Sequence, residues 1–388
     1  MTLRPTAILL MIWFGALVLT AADTPQSALL VLNKGENSLA IVDPVSLKVV
    51  AQVPAGHDPH EVVASADGKL AFVSNYGGGH TLSVIDLTTQ KPLPAVELGA
   101  LRSPHGLAVA DGKVYFTAEG SKVIGRYDPS VRQIDWVLGL GQDRTHMIVV
   151  SKDSKKIFTS NVNSDTISII ERGSGPNGPG RRPGPGAPRG PGAQGGPGGP
   201  PPGAPGDGDR PLGGPNGPGG FGGGPGAPGG PPPGGPGGGG WNATHISVGA
   251  GPEGFDLSPD GKEVWAAKSH DGTVSVIDVA RKAVVETLKV PTRSANRLKF
   301  TLDGKLFLIS DLGSGDLVVV DVASRKEVKR IQLGGGAAGI LMHPDGSRAY
   351  VAVGSSNGVA VIDLKTLEVS GHIDTGRGPD GLGWADRS

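Results

Sequence analysis

The chain of 388 residues contains no cysteine. It can therefore build no disulfide framework, no thiolate metal site and no cysteine nucleophile. It has no excess of either charge, with 36 basic against 36 acidic side chains, which argues against a general nucleic-acid binder, since that affinity comes from surplus Lys and Arg. It lacks a long apolar run: the one candidate, Ile8 to Leu19, falls short of the roughly 20 residues a bilayer span needs. No Ser-His-Asp or nucleophile-elbow pattern appears. What the chain has in abundance is glycine and proline, 66 and 34 residues, of which 52 fall within the 68 residues from Gly173 to Gly240.

The N-terminus reads as an address. Arg4 precedes the apolar run, and Thr20-Ala21-Ala22 places small residues just before Asp23. A positive start, a short apolar stretch and a small-residue exit are the parts of a secretory signal peptide. Residues 1–22 are expected to be removed near Ala22-Asp23, leaving no membrane span. Export without disulfides suits a periplasm or a bacterial cell surface.

The rest is a repeat. Strand-like runs ending in an acidic residue recur as LAIVD (Asp43), LSVID (Asp86), IGRYD (Asp128), ISIIE (Glu171), VSVID (Asp278), LVVVD (Asp321) and VAVID (Asp363). Their spacings are 43, 42, 43, 107, 43 and 42, and the odd value exceeds its neighbours by 64, close to the length of the Gly/Pro segment. Each unit carries a first apolar run, a turn that is usually Asp-Gly, a second run, the VID-type strand and a fourth strand. Asp-Gly between apolar runs is a hairpin signal, and four short strands per unit of about 43 residues describe a β-propeller blade.

The fold expected is all-β: a seven-bladed propeller of four-stranded antiparallel blades. The chain enters in mid-unit with three strands (ALLVLNK, LAIVD, VVAQVP) and ends on a lone first strand, GPDGLGWAD. That last strand should complete the first blade and close the ring, removing its free edges. Residues 23–172 and 241–388 then form one domain, interrupted between a third and a fourth strand by residues 173–240. This segment has no strict glycine at every third place and few apolar side chains, so disorder with extended proline stretches is expected. Strand alternation places it on the face of the Asp-Gly turns, either as a tether to cell wall or matrix or as a neutral expansion.

These units, with FVSNY at Phe72 to Tyr76 and SPDGKEVWAAKS from Ser258 as the nearest matches, resemble the YVTN-type β-propeller repeat. The resemblance covers nearly all of the chain outside the leader and the insert. It implies an exported, surface-layer-like propeller and leaves the activity open, because function resides in the site and not in the fold.

Propeller ligands sit where innermost strands begin, around the central channel. Aligning first strands on their hairpin turns gives one rim residue per blade: His60, His105, His146, Glu253, Asn296, Ala338 and Asp380. Three positions ahead lie His57, Arg102, Arg293 and Arg377, with Arg144 nearby. Three readings of this rim stand together. His60, His105, His146 and Glu253 could hold zinc or copper. The arginines could grip a small anion, as in a lactone or sugar-acid hydrolase with a histidine or Glu253 as general base. Or polar side chains simply line a wet channel. The function expected is an exported, monomeric module binding a protein, a cell-wall component or a small anionic ligand, with a metalloprotein or lactonase-like enzyme as the alternative. The recurring aspartates and the asparagines Asn33, Asn75 and Asn161 are read as turn residues.

Overall fold

The computed structural model describes residues 23–173 and 240–387. The expected leader and the interior of the expected disordered insert lie outside the described residues. Twenty-eight strands, numbered β1 to β28 in chain order, form seven four-stranded antiparallel sheets among the described residues. The blade-opening strands are β4 (Pro59–Ala64), β8 (Pro104–Ala110), β12 (Thr145–Val150), β16 (Pro252–Leu257), β20 (Ala295–Phe300), β24 (Ala337–Met342) and β28 (Pro379–Asp386). The last of these pairs with β1 (Ser27–Asn33), setting Leu29 opposite Trp384 and Ala28 opposite Ala385. The expected seven blades and their closure by the C-terminal strand are both present.

The continuous apolar runs follow from face-to-face stacking of the blades. Alternate residues of a strand point to opposite sides, and here both sides are core. Leu30 and Leu32 pack with Val62 and Val73 of the following blade, while Leu29 and Val31 pack with Tyr350 and Val361 of the preceding one. In four blades the innermost strands approach so closely that only glycine fits just after the rim residue. A Cβ on Gly381 would lie 2.1 Å from the His60 carbonyl oxygen, and one on Gly106 would lie 2.5 Å from that of His146. In three blades that place is held instead by Glu61, Met147 and Arg297, a substitution with consequences for the channel.

The recurring aspartates cap turns, as expected. Asp43 Oδ1 accepts from the Val45 N–H at 2.9 Å, and Asp43 Oδ2 accepts from Ser46 Oγ at 2.6 Å. Of the Asp-Gly turns, Asp111-Gly112 has positive φ at both residues, 50° and 69°. At Asp67-Gly68 only the glycine is left-handed, and Asp67 Oδ1 accepts from Ser65 Oγ at 2.6 Å. The asparagines differ from expectation. Asn75 and Asn161 end second strands, are buried, and bond sideways to the third strand (Asn75 Nδ2 to Ser83 Oγ, 3.0 Å; Asn161 Nδ2 to Ser168 Oγ, 2.8 Å). Asn33 donates to the Thr375 carbonyl at 2.8 Å. A carboxamide is needed there because polar groups inside the stacked blades must find partners away from water.

These turns make an acid-stability prediction. Hydrogen bonds from the Ser258 hydroxyl and the Lys262 N–H hold the Asp260 carboxyl down at about 2, and those from Ser347 do the same for Asp345. A carboxylate whose pKa is depressed in the fold stabilises it fully above its unfolded value of about 3.9, and that stabilisation is lost as pH falls through the folded value. The urea midpoint is expected to fall between about pH 4 and pH 2, and Asp260→Asn with Asp345→Asn should lessen that fall. An unchanged slope in the double variant would contradict the assignment.

Candidate functional site

The rim residues that open the blades converge. His60, His105, His146, Glu253, Asn296, Ala338 and Asp380 all line one cavity of about 360 Å³ at the mouth of the channel. Three imidazoles from consecutive blades cluster there, with interplanar angles of 58° between His60 and His105 and 35° between His105 and His146. Ring centroids are 4.6 Å apart for His60 and His105 and 3.7 Å for His105 and His146. His60 Nδ1 and His105 Nε2 share a hydrogen bond of 2.9 Å. His105 is 1% exposed, and its other nitrogen, Nδ1, has no hydrogen-bond partner.

A second ring, invisible in the first-strand alignment, completes the site. It comes from the residue that follows the second strand in five of the seven blades: Lys34, Tyr76 and Glu119 on one side, Leu312 and Gly354 on the other. Glu119 opens a single 3-10 turn and is itself buried. Its Oε1 lies 2.6 Å from His146 Nδ1, and its Oε2 accepts from the Tyr76 hydroxyl at 2.9 Å. On the far side of His146, Nε2 lies 3.3 Å from Glu253 Oε1, which also accepts from Arg144 Nη2 at 3.0 Å. Lys34 bridges Asp58 at 3.5 Å and Asp380 at 3.3 Å, and Asp58 lies 3.2 Å from His60 Nε2.

The electrostatics separate the three histidines. Burial and the charge of Lys34 lower the pKa of His60. Burial, with His146 and His60 as neighbours, pushes His105 well below the ordinary histidine range. Burial acts the same way on His146, but hydrogen bonds to Glu119 and Glu253 outweigh it and raise its pKa. Burial works against ionisation of Glu253, yet His146, Arg144 and Arg297 hold its carboxyl down at about 2. Burial and Glu119 push the Tyr76 phenol up to about 12. At neutral pH, His60 and His105 are therefore neutral.

Below this cavity the channel is stopped. Arg297 reaches across from β20 to pair with Glu61 of β4, with side chains only 7% and 13% exposed. Arg297 Nη1 also donates to Asn296 Oδ1 at 3.2 Å. The same two residues line the second chamber, of about 290 Å³, whose walls include Val62, Leu107, Ile148 and Leu382. The pair thus divides the upper cup, which holds His60, His105, His146 and Glu253, from the lower chamber.

The structure places the remaining sequence candidates differently. His57, Arg102, Arg293 and Arg377 are exposed and do not line the cup. The residue two before the rim is left-handed at Asp58, Ser103, Gly336 and Gly378, so the chain turns there and His57, Arg102 and Arg377 are thrown outward. Arg144 occupies that left-handed place itself, with φ 52°, and so lines the cup. Among the described residues the side chains grouped closely enough to hold one ion are His105, Glu119 and His146, each offering an atom within 4.8 Å of the others. Glu119 therefore joins the expected set, and His60 and Glu253 stand beside it.

No known family model matches the sequence, and no curated protein matches it. Solved structures do. A functionally unknown protein from Desulfotomaculum acetoxidans aligns with a TM-score of 0.63 at 11% identity, covering 93% of this chain and 99% of that one. The hydrazine synthase of Kuenenia stuttgartiensis aligns with a TM-score of 0.62 at 16% identity, over 91% and 99% of the two chains. A Bacteroides uniformis protein provisionally assigned as a 6-phosphogluconolactonase gives 0.63 at 15% identity, over 92% and 99%. Identities this low speak for architecture alone: the chain is a seven-bladed β-propeller.

Proposed function

We propose that this propeller is an exported binding module whose pore mouth holds one divalent transition metal, zinc or copper, on His105, His146 and Glu119. Export rests on residues 1–22 and on the likeness of the repeat to the YVTN type. The observation that carries the metal reading is the group itself, His105, Glu119 and His146, buried and each offering an atom within 4.8 Å of the others, with His105 Nδ1 buried and unpartnered. Buried polar atoms ordinarily find a partner, so two buried imidazoles and a carboxylate grouped this closely, with one ring nitrogen unpartnered, fit an ion. The Tyr76 hydroxyl on Glu119 would fix that ligand from behind, as outer hydrogen bonds do around metals. An anion pocket has less support, because Arg102, Arg293 and Arg377 lie outside the cup and Arg144 is engaged by Glu253.

The test is metal content of the purified protein followed by melting with added Zn²⁺ or Cu²⁺. At about 100-fold excess over Kd a bound ion stabilises by about 2.7 kcal/mol, which should raise Tm by several degrees. His105→Ala with His146→Ala should abolish the rise. A protein that purifies metal-free and melts unchanged with either ion contradicts the reading.

A further inference from the structure

We infer that the outer edge of the interrupted blade is a docking edge, and that its occupant is the same edge of a second copy of this chain, giving a two-fold dimer in place of the expected monomer. The inference is independent of the metal reading and rests on strand chemistry and strand register.

A propeller blade ends on an outer strand with one row of unpaired N–H and C=O groups, and charges, prolines or bulges keep such edges from pairing. Six blades carry these guards. Their outer strands read KVVAQVP, KPLPAVE, QIDWVLG, AVVETLK, KEVKRIQ and EVSGHID, each with a charged residue or a proline. In each of the six, the register against the third strand also slips at a bulge. The interrupted blade has neither device. Its outer strand, β15 (Trp241–Ser247), reads WNATHIS, without Lys, Arg, Asp, Glu or Pro. It runs against β14 (Thr166–Arg172) in unbroken register, from Thr166 opposite Ser247 to Arg172 opposite Trp241. Asn242, Ala243, His245 and Ser247 are exposed.

The ladder fixes which backbone groups face out. The Gly173 N–H donates to the Gly240 carbonyl at 2.6 Å, and the Val248 N–H donates to the Asp165 carbonyl at 2.9 Å. Antiparallel bonding alternates along a strand, so Asn242, Thr244 and Ile246 bond inward as well. Trp241, Ala243, His245 and Ser247 therefore turn their N–H and C=O groups outward. A two-fold axis at Thr244 uses all of them. Trp241 then pairs with the partner subunit's Ser247, and Ala243 with the partner subunit's His245, each pair exchanging two hydrogen bonds. Thr244 meets its own copy at the axis, and Thr–Thr pairs are among the favourable cross-strand contacts.

Charge and symmetry select the occupant. A charged strand paired with itself about a two-fold axis sets like charges near one another, which costs stability, and a neutral strand escapes that cost. A foreign strand needs pockets matched to its side chains, whereas self-pairing needs only that the strand not repel itself. One unguarded edge per disc also closes the assembly at two copies, because pairing consumes the edge on both.

The experiment is sedimentation of the full chain over a concentration series, which should show a dimer and nothing larger. Ala243→Pro removes an outward N–H and leaves the inward ladder whole, the placement in which edge strands tolerate proline. It should weaken association at least about tenfold and leave the melting curve unchanged. Because the chain has no cysteine, Thr244→Cys supplies a single thiol that meets its own copy at the axis. Cα atoms of such a pair lie about 4.5 Å apart, within disulfide reach. Mild oxidation should give a covalent dimer with Thr244→Cys and none with Asn242→Cys, which lies off the axis. A parent chain that stays monomeric, whether or not an added strand peptide occupies the edge, would overturn the proposal. So would an Ala243→Pro protein that associates like the parent, or Thr244→Cys chains that remain single on oxidation.

Discussion

A chain ending at Gly378 is expected to have no cooperative native state. It would lose β28, which is the innermost strand of the first blade and pairs with β1 from Ser27 to Asn33. Leu382 and Ala385 belong to two different inter-blade cores, at 8% and 1% exposure. The neighbouring blades also lean on this strand, since the Gly381 α-carbon nestles against the His60 carbonyl and Gly339 against that of Asp380. Removal therefore strips three blades at once and bares an unpaired strand edge. The expected loss is comparable to the whole stability of a domain, about 5–15 kcal/mol. The measurement is a thermal melt by circular dichroism, beside a circular permutant that joins residue 387 to residue 23 and opens the chain in another turn. The permutant should melt cooperatively and the truncated chain should not. A truncated chain melting within a few degrees of the parent would sink the closure argument.

The second large effect is expected from Arg297→Met. Burial opposes the charge of Arg297, but Glu61 and Asp380 more than compensate and raise its pKa. Deleting the guanidinium strands the Glu61 carboxylate in the channel. Breaking one side of a buried pair costs about 3–5 kcal/mol, whereas replacing both sides with apolar groups is often neutral. Arg297→Met alone should thus lower Tm by roughly 10 °C, and Glu61→Leu added to it should recover most of that loss. The two substitutions are coupled only if the pair exists. Additive losses in the double variant would show that the two side chains do not meet.

The architecture was legible because it is written redundantly. Outside the Gly/Pro segment the VID-type strands recur every 42 or 43 residues, so degenerate units such as IGRYD at Asp128 are anchored by their neighbours. The rim was legible for the same reason: His60, His105, His146 and Glu253 fall at one repeat position, and they do line one cavity. Three groups escaped. Glu119 follows a second strand in a blade whose strand ends in alanine, where Asn33, Asn75 and Asn161 stand in others, so nothing marked that position as inward-facing. Glu61 and Arg297 stand where Gly106, Gly254, Gly339 and Gly381 pack closely in other blades. A charged residue at a glycine place was the available signal. The outward swing of Arg102 and Arg377 depends on the backbone turn between them and the rim, which residue type shows at Gly378 and conceals at Ser103.

The broken blade carries a different consequence. The strands β14 (Thr166–Arg172) and β15 (Trp241–Ser247) stay in register to their last residues, with Arg172 opposite Trp241 and the guanidinium 5.3 Å from the indole ring centre. One further rung, from the Gly173 N–H to the Gly240 carbonyl, ties the pair off. The disc is thus sealed at the neck by its own ladder, independently of the sequence spliced beyond it. Such a neck is a socket: a reporter domain whose termini lie side by side could replace the native segment and be displayed there without disturbing the seven-fold scaffold.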